Sequence, residues 1–267
     1  MNAGADAGDL LALATAVARE AGVLLRDRRP AGDLDFDTKS TPTDVVTVMD
    51  RAAERLIVDR LREARPGDAI LAEEGGARAG GSGVRWVVDP IDGTVNYLYG
   101  LPQWGVSIAA EVDGTVVAGV VVDPMKDETY AAVRGGGATC NGTTLRVTDC
   151  TELGQALVAT GFGYAAARRA AQAHVVGAVL PRVRDIRRLG SSALDLCAVA
   201  RGRVDAFYER GLAPWDLAAG GLVAAEAGAV VAGLTGRAAG PDLVIATNPA
   251  LFGPLHDLLA GLAADRD

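Results

Sequence analysis

The chain has 267 residues, 49% of them hydrophobic, and carries 34 acidic against 26 basic side chains for a formal net charge of -8. That length supports one large domain or two modest ones around a substantial core. The acidic balance disfavours direct binding of nucleic acid, which rests on lysine and arginine displacing counterions. Three cysteines without C-x-x-C spacing, no basic-then-apolar leader pattern and no run near ~18 apolar residues predict a cytoplasmic protein that neither needs disulfides nor enters a membrane.

Leu10, Leu13, Val17, Ala21 and Leu24 recur at helical spacing behind Asp9, a candidate cap, and predict an amphipathic helix that stops before Pro30. A second helix is predicted from about Thr43 or Asp44, through Val45, Val48, Met49, Ala52, Leu56 and Ile57, to the break at Pro66 and Gly67. Strands then dominate: Ala69 to Ala72, Arg85 to Val88, and a hairpin of Val106 to Val112 and Thr115 to Val122 turning at Asp113 and Gly114. Further strands are predicted at Thr129 to Val133 and Leu145 to Thr148. Beyond residue 150 the pattern alternates, with strands at Ala156, Asp185 and Val204 and helices at Ala165, Ser192 and Leu217. Strands near Ala229 and Leu243 and a last helix from Pro249 follow. The expected division is an α+β half over 1–150, carrying most of the candidate ligands, and an α/β half over 151–267.

The run Trp86 to Asn96 carries the chemistry. An apolar strand ends at Asp89, Pro90 fixes φ for a turn, and Asp92 returns beside Gly93 and Thr94. Carboxylates collect hard divalent cations and backbone amides collect phosphate, so their presence in one turn points to phosphoryl chemistry. Glu73 and Glu74 upstream, and Asp216 after Trp215, offer further carboxylates.

Lys39 to Asp44, Glu73 with Glu74, Trp86 to Tyr97, Gly135 to Gly142, Gly190 to Ala193, and Tyr208 through Asp216 occur together and in order. In this set the chain resembles the inositol monophosphatase family of metal-dependent, lithium-sensitive sugar phosphatases over nearly its whole length, and Ala159 to Tyr164 with Arg187 to Cys197 resemble its actinobacterial SuhB-type branch. The resemblance implies an α/β fold, a layered α/β/α/β/α sandwich, in a homodimer. It also implies two or three Mg²⁺ ions, with Li⁺ as inhibitor, and a small phosphate ester as substrate.

By the same resemblance, Glu73 and Asp89, with the Ile91 carbonyl, hold one ion, while Asp89, Asp92 and Asp216 hold another. Thr94 orients the attacking water with Glu73 or its metal; Asp92 joins them in the catalytic set. Gly93 and Thr94 offer amides to the phosphate, and Gly190, Ser191, Ser192, Glu209 and Asp216 meet the substrate. Lys39, Asp44 and Glu74 flank the metals. Read without the family, the acids are solvated strand-end residues, Thr94 and Asp44 are helix caps, Gly190 to Ser192 cap a helix, and Lys39 is a loop lysine. Phe162, Gly163 and Tyr164 depart from animal relatives, which carry small polar residues there.

Other phosphatase designs fit less well. Cys197 lacks C-x5-R spacing, Asp89 and Asp92 are not the D-x-D pair of aspartyl-phosphate enzymes, and no G-x-x-x-x-G-K-[ST] loop occurs. The substrate expected is inositol 1-phosphate. Histidinol phosphate, fructose 1,6-bisphosphate and 3'-phosphoadenosine phosphates remain alternatives on the same fold, and a scaffold role in a transcription complex is the alternative from another class.

Overall fold

The computed structural model describes residues 6–29, 36–39, 41 and 45–266; Asp44 lies outside them. The elements, in order, are α1 (Ala7–Asp27), β1 (Phe36–Thr38), β2 (Val45–Thr47), α2 (Val48–Ala64), β3 (Ala69–Ala72), β4 (Gly76–Arg78), β5 (Val84–Asp92) and α3 (Thr94–Leu98). Then come β6 (Gly105–Val112), β7 (Thr115–Asp123), β8 (Glu128–Val133), β9 (Gly137–Cys140) and β10 (Thr143–Thr144). The remainder is β11 (Leu157–Thr160), α4 (Ala166–Val179), β12 (Asp185–Arg187), α5 (Ser192–Ala200), β13 (Ala206–Glu209), α6 (Pro214–Glu226), β14 (Val230–Ala232), β15 (Val244–Thr247) and α7 (Pro249–Gly261).

Two sheets organise the molecule, an eight-stranded one in the order β10-β9-β8-β7-β6-β5-β3-β4 and a five-stranded one in the order β12-β11-β13-β15-β14. Alternation along the strands sets the layers. In the large sheet Trp86, Val88, Ile108, Ala110 and Val120 face α1 and α2. Their neighbours Val87, Ala109 and Val121 face Ala193, Leu194 and Cys197 of α5 and Ala219, Leu222 and Val223 of α6. In the small sheet Phe207, Val244 and Ala246 pack on Leu196 and Val199 of α5. Val158, Ala206, Tyr208 and Ile245 turn the other way, against Val175 and Val179 of α4 and Leu251, Leu255 and Leu259 of α7. Helices and sheets therefore stack as α/β/α/β/α, as the resemblance implies.

Several expected elements change: the strand expected to stop at Val88 before a turn at Pro90 continues as β5 through Asp92, and the helix expected from Leu217 begins at Pro214. The first helix begins a turn early because Asp6, not Asp9, caps it, accepting from the Gly8 amide at 2.7 Å. The second begins at Val48, since Val45–Thr47 pair with β1 and Thr47 exchanges capping bonds with Asp50. Leu145 to Thr148 form no strand: the Leu145 amide donates to Ala138 and the Val147 amide to Ala227, the residue that ends α6.

Candidate metal and phosphate site

An irregularity in the β5–β6 ladder makes the site. Asp89 pairs with Ser107 and Asp92 with Gly105, so three steps along β5 match two along β6. In a regular strand, residues an odd number apart point to opposite faces; the extra residue cancels that parity and turns both carboxylates to one side. Ile91 donates its amide to Asp89 Oδ1 at 3.0 Å, which holds the bend. Gly93 follows at φ 98°, where a Cβ would lie 3.0 Å from the Gln103 carbonyl oxygen and 3.1 Å from that of Gly190. Only glycine fits both demands.

Asp216 arrives from the second half of the chain, in the first turn of α6, where its Oδ2 accepts from the Ala213 amide at 2.7 Å. One carboxylate oxygen from each of Asp89, Asp92 and Asp216 lies within 4.8 Å of the others. Glu73 ends parallel strand β3, donates its amide to the Val88 carbonyl at 3.2 Å and lines the same cavity. Its Oε1 accepts from Lys39 Nζ at 2.7 Å, and Lys39 also bonds Glu74. Glu74 is anchored through its own amide, which donates to Glu54 in α2 at 2.7 Å.

Crowding of like charges dominates the electrostatics. Burial, then the charges of Glu73, Asp92 and Asp216, push the Asp89 carboxyl well above the usual carboxylate range. Burial and the Asp92 charge do the same to Asp216. Asp92 is pushed up to about 6 by burial, opposed by the Ser191 hydroxyl and the Ala193 amide. Burial raises Glu74 to about 7 despite Lys39. Lys39 itself moves upward, because its two carboxylate partners outweigh its burial. Buried oxygen donors this close repel one another, and a hard divalent cation is the counter-charge that suits them.

Around this acidic floor the cavity encloses about 650 Å³ and includes Ile91, Gly93, Thr94, Gly190, Ser192 and Glu209. Glu209, at the end of β13, is pushed up to about 8 by burial and the nearby Asp92, with Arg188 opposing. Ser191 takes a different place from the one expected: its hydroxyl donates to Asp92 Oδ2 at 2.5 Å while capping α5, and Ala193 adds an amide to the same oxygen at 2.7 Å. It supports an acid of the floor rather than facing the cavity. The Ile91 carbonyl accepts from Thr94 Oγ1 at 3.0 Å.

Asp50 has no place in the sequence reading of the site. It is fully buried in α2, and its Oδ1 accepts from Thr94 Oγ1 at 3.0 Å while its Oδ2 takes the Thr47 amide at 2.8 Å. The T-x-x-D spacing of Thr47 and Asp50 signals a helix start; nothing in it signals Thr94, 44 positions on.

The model of the inositol monophosphatase family matches residues 6–266. The chain belongs to that family. It is 48% identical over 271 residues to inositol-1-monophosphatase SuhB of Mycobacterium tuberculosis, covering 95% of this chain and 93% of that protein. It is 42% identical over 229 residues to the Nus factor SuhB of Escherichia coli, covering 85% and 86%. The solved structure of Mycobacterium tuberculosis SuhB superposes with a TM-score of 0.82 at 44% identity, over 96% of this chain and 97% of that one. The chain is thus a phosphatase of a metal-dependent family, with its buried acidic cluster at the floor of the cavity. Among the described residues no helix is long and apolar enough to cross a membrane.

Proposed function

We propose that the chain hydrolyses inositol 1-phosphate to inositol and phosphate with Mg²⁺. The observation that carries this reading is the convergence of Asp89, Asp92 and Asp216 within 4.8 Å beside Thr94, and the name of the mycobacterial relative supports the choice of alcohol. Asp89, Asp92 and Asp216 would hold one ion; Glu73, Asp89 and the Ile91 carbonyl would hold another. When bound, Mg²⁺ supplies Lewis-acid stabilisation of the phosphoryl and leaving oxygens and acidifies water.

The residues do the positioning. Thr94 directs its hydroxyl hydrogen to Asp50 or the Ile91 carbonyl, which leaves an Oγ1 lone pair to orient water for in-line attack on phosphorus. The amides of Gly93 and Thr94 donate to phosphate oxygens, with Gly190 and Ser192 lining the same cavity. Glu209 accepts from, or when protonated donates to, hydroxyls of the alcohol. Lys39 tempers the charge of Glu73. We read the two halves, 1–150 and 151–267, as closing on the substrate from either side, in a homodimer.

The test is phosphate release from inositol 1-phosphate and a panel of other esters, with and without Mg²⁺ and Li⁺. Inertness toward every ester at saturating metal would remove the reading. The kinship with the Escherichia coli Nus factor supports a second role in a transcription complex. Co-purification with RNA polymerase, undiminished in Asp92→Asn, would separate that role from catalysis.

A further inference from the structure

Gly93 and Gly190 meet where the two parts of the chain close on the cavity, and both line it beside Thr94 and Ser192. Both take positive φ, 98° and 96°, and their backbones touch: a Cβ on Gly93 would lie 3.1 Å from the Gly190 carbonyl oxygen. Two glycines in contact have no side chains to hold them in place, so neighbouring groups must do it. Asp92 is one, accepting from the Ser191 hydroxyl and the Ala193 amide. Asn96, in α3 and 7% exposed, is the other. Its Nδ2 donates to the Gln103 carbonyl at 2.6 Å and to the Leu189 carbonyl, 93 positions on, at 2.8 Å. A Cβ on Gly190 would lie 2.7 Å from that nitrogen, so the glycine leaves the amide its place.

The two ties differ in what else they do. Asp92 belongs to the acidic floor, and without a cation its charge repels that of Asp216 across this same junction. Asn96 carries no charge, and its bonds need no cation. On the near side it is well anchored: its own carbonyl accepts from the Leu101 amide at 2.8 Å, and the Gln103 side chain is fixed by Lys126, whose Nζ donates to Oε1 at 2.8 Å. On the far side Leu189 lies between β12 and α5, outside both sheets, so its carbonyl has no place in a ladder and takes the amide of Asn96 instead. We propose that Asn96 is a positioning residue for the hydrolysis: it fixes the separation of Gly93 and Thr94 from Gly190 and Ser192, so that groups from both parts of the chain meet one phosphate in a constant geometry. This deepens the phosphatase reading above and rests on it. Phosphoryl transfer asks a protein mainly for position and electrostatics, so a junction that spreads by a fraction of an ångström loses rate.

Two variants test this with inositol 1-phosphate and Mg²⁺, assayed well below their melting temperatures. Asn96→Ala removes both donors, and Asn96→Asp fills the same space with a carboxylate that accepts but cannot donate to either carbonyl. Each should lose ~10²-fold in kcat with KM within ~3-fold of the unaltered protein, the split that marks a contribution made in the transition state. A purely structural role would lower the melting temperature and leave kcat of the folded protein where it was. A kcat within ~2-fold of the unaltered value in either folded variant, or a loss that resides in KM, would overturn the proposal. If Asn96→Ala does not fold, Asn96→Asp decides alone, and failure of both to fold would make Asn96 a structural residue and overturn it as well. Hydrolysis by the unaltered protein in the same assay separates the two readings: if it proceeds while the variants match it, only the role of Asn96 is lost, and if it too is absent, both are.

Discussion

Thr94 Oγ1 lies 3.0 Å from Asp50 Oδ1, joining the turn after β5 to the start of α2. The bond fixes the hydroxyl rotor that the proposed chemistry needs, and the capping box of α2 fixes Asp50 in turn. Thr94→Val keeps the shape and removes the oxygen, so kcat should fall by ~10²–10³-fold with a smaller change in KM. Asp50→Asn replaces an oxygen that accepts from Thr47 with a group that cannot satisfy every donor; a loss of about 1 kcal/mol and a fall in kcat are expected together. Steady-state kinetics beside urea unfolding check both, and normal kcat in Thr94→Val would refute the role of the hydroxyl.

Asp216→Asn removes one charge from the crowded floor while retaining an acceptor for the Ala213 amide. In chelator this variant should melt at or above the temperature of the unaltered protein, because repulsion has been relieved. Added Mg²⁺ should stabilise the unaltered protein by about 2.7 kcal/mol at 100 times its Kd, and Asp216→Asn much less at the same concentration. Thermal melts with chelator and with Mg²⁺ decide this; equal metal-induced shifts would remove Asp216 from the ligand set.

Glu209 sits against Gly161, where a Cβ would fall 2.1 Å from Glu209 Oε2. Gly161→Ala must push that carboxylate aside, a movement a side-chain end can make without unfolding the sheet. The expected result is KM for inositol 1-phosphate up by ~10-fold with little change in melting temperature. An unchanged KM would show that Glu209 does not hold the alcohol.

Glu128 anchors the far side of the large sheet, accepting from Arg203 at 2.6 and 2.7 Å and from the Tyr130 hydroxyl at 2.7 Å. Burial alone would raise its carboxyl, but the Arg203 and Tyr130 bonds and the Arg203 and Arg201 charges outweigh it and bring it to about 2 from 4.5. A depressed carboxylate stabilises the fold fully above its unfolded value, and that contribution disappears as pH falls from 4.5 towards 2. Glu128→Gln should therefore cost about 2 kcal/mol at pH 7, discounted for the exposed face of Arg203, and the two proteins should converge in acid. Urea titrations at pH 7 and pH 3 test the sign.

Much of this was legible in the chain because the information is local. The apolar run Arg85 to Val88 marked a strand, turn chemistry placed Asp113 and Gly114, and the acids and amides of Asp89 to Thr94 follow one another along the backbone, although β5 continues to Asp92 through the expected turn. Where neighbours compete for the same job, local reading slipped: Asp6 and Asp9 can each cap α1, and Thr47 outbids the residues before it for α2 once Val45–Thr47 find a partner in β1.

Composition and motif determined that this chain would gather carboxylates and amides for a phosphate ester, since those groups follow one another along the backbone. The family resemblance, and not the local sequence, pointed to Asp216 joining Asp89 and Asp92, and tertiary structure alone decided that Ser191 supports Asp92 and that Asp50 reaches Thr94. The reason is physical: electrostatic and hydrogen-bond energies depend on distance through space, and these partners meet only where chain segments far apart in sequence pack, at the helices α5 and α6 for Asp216 and Ser191 and at α2 on the large sheet for Asp50.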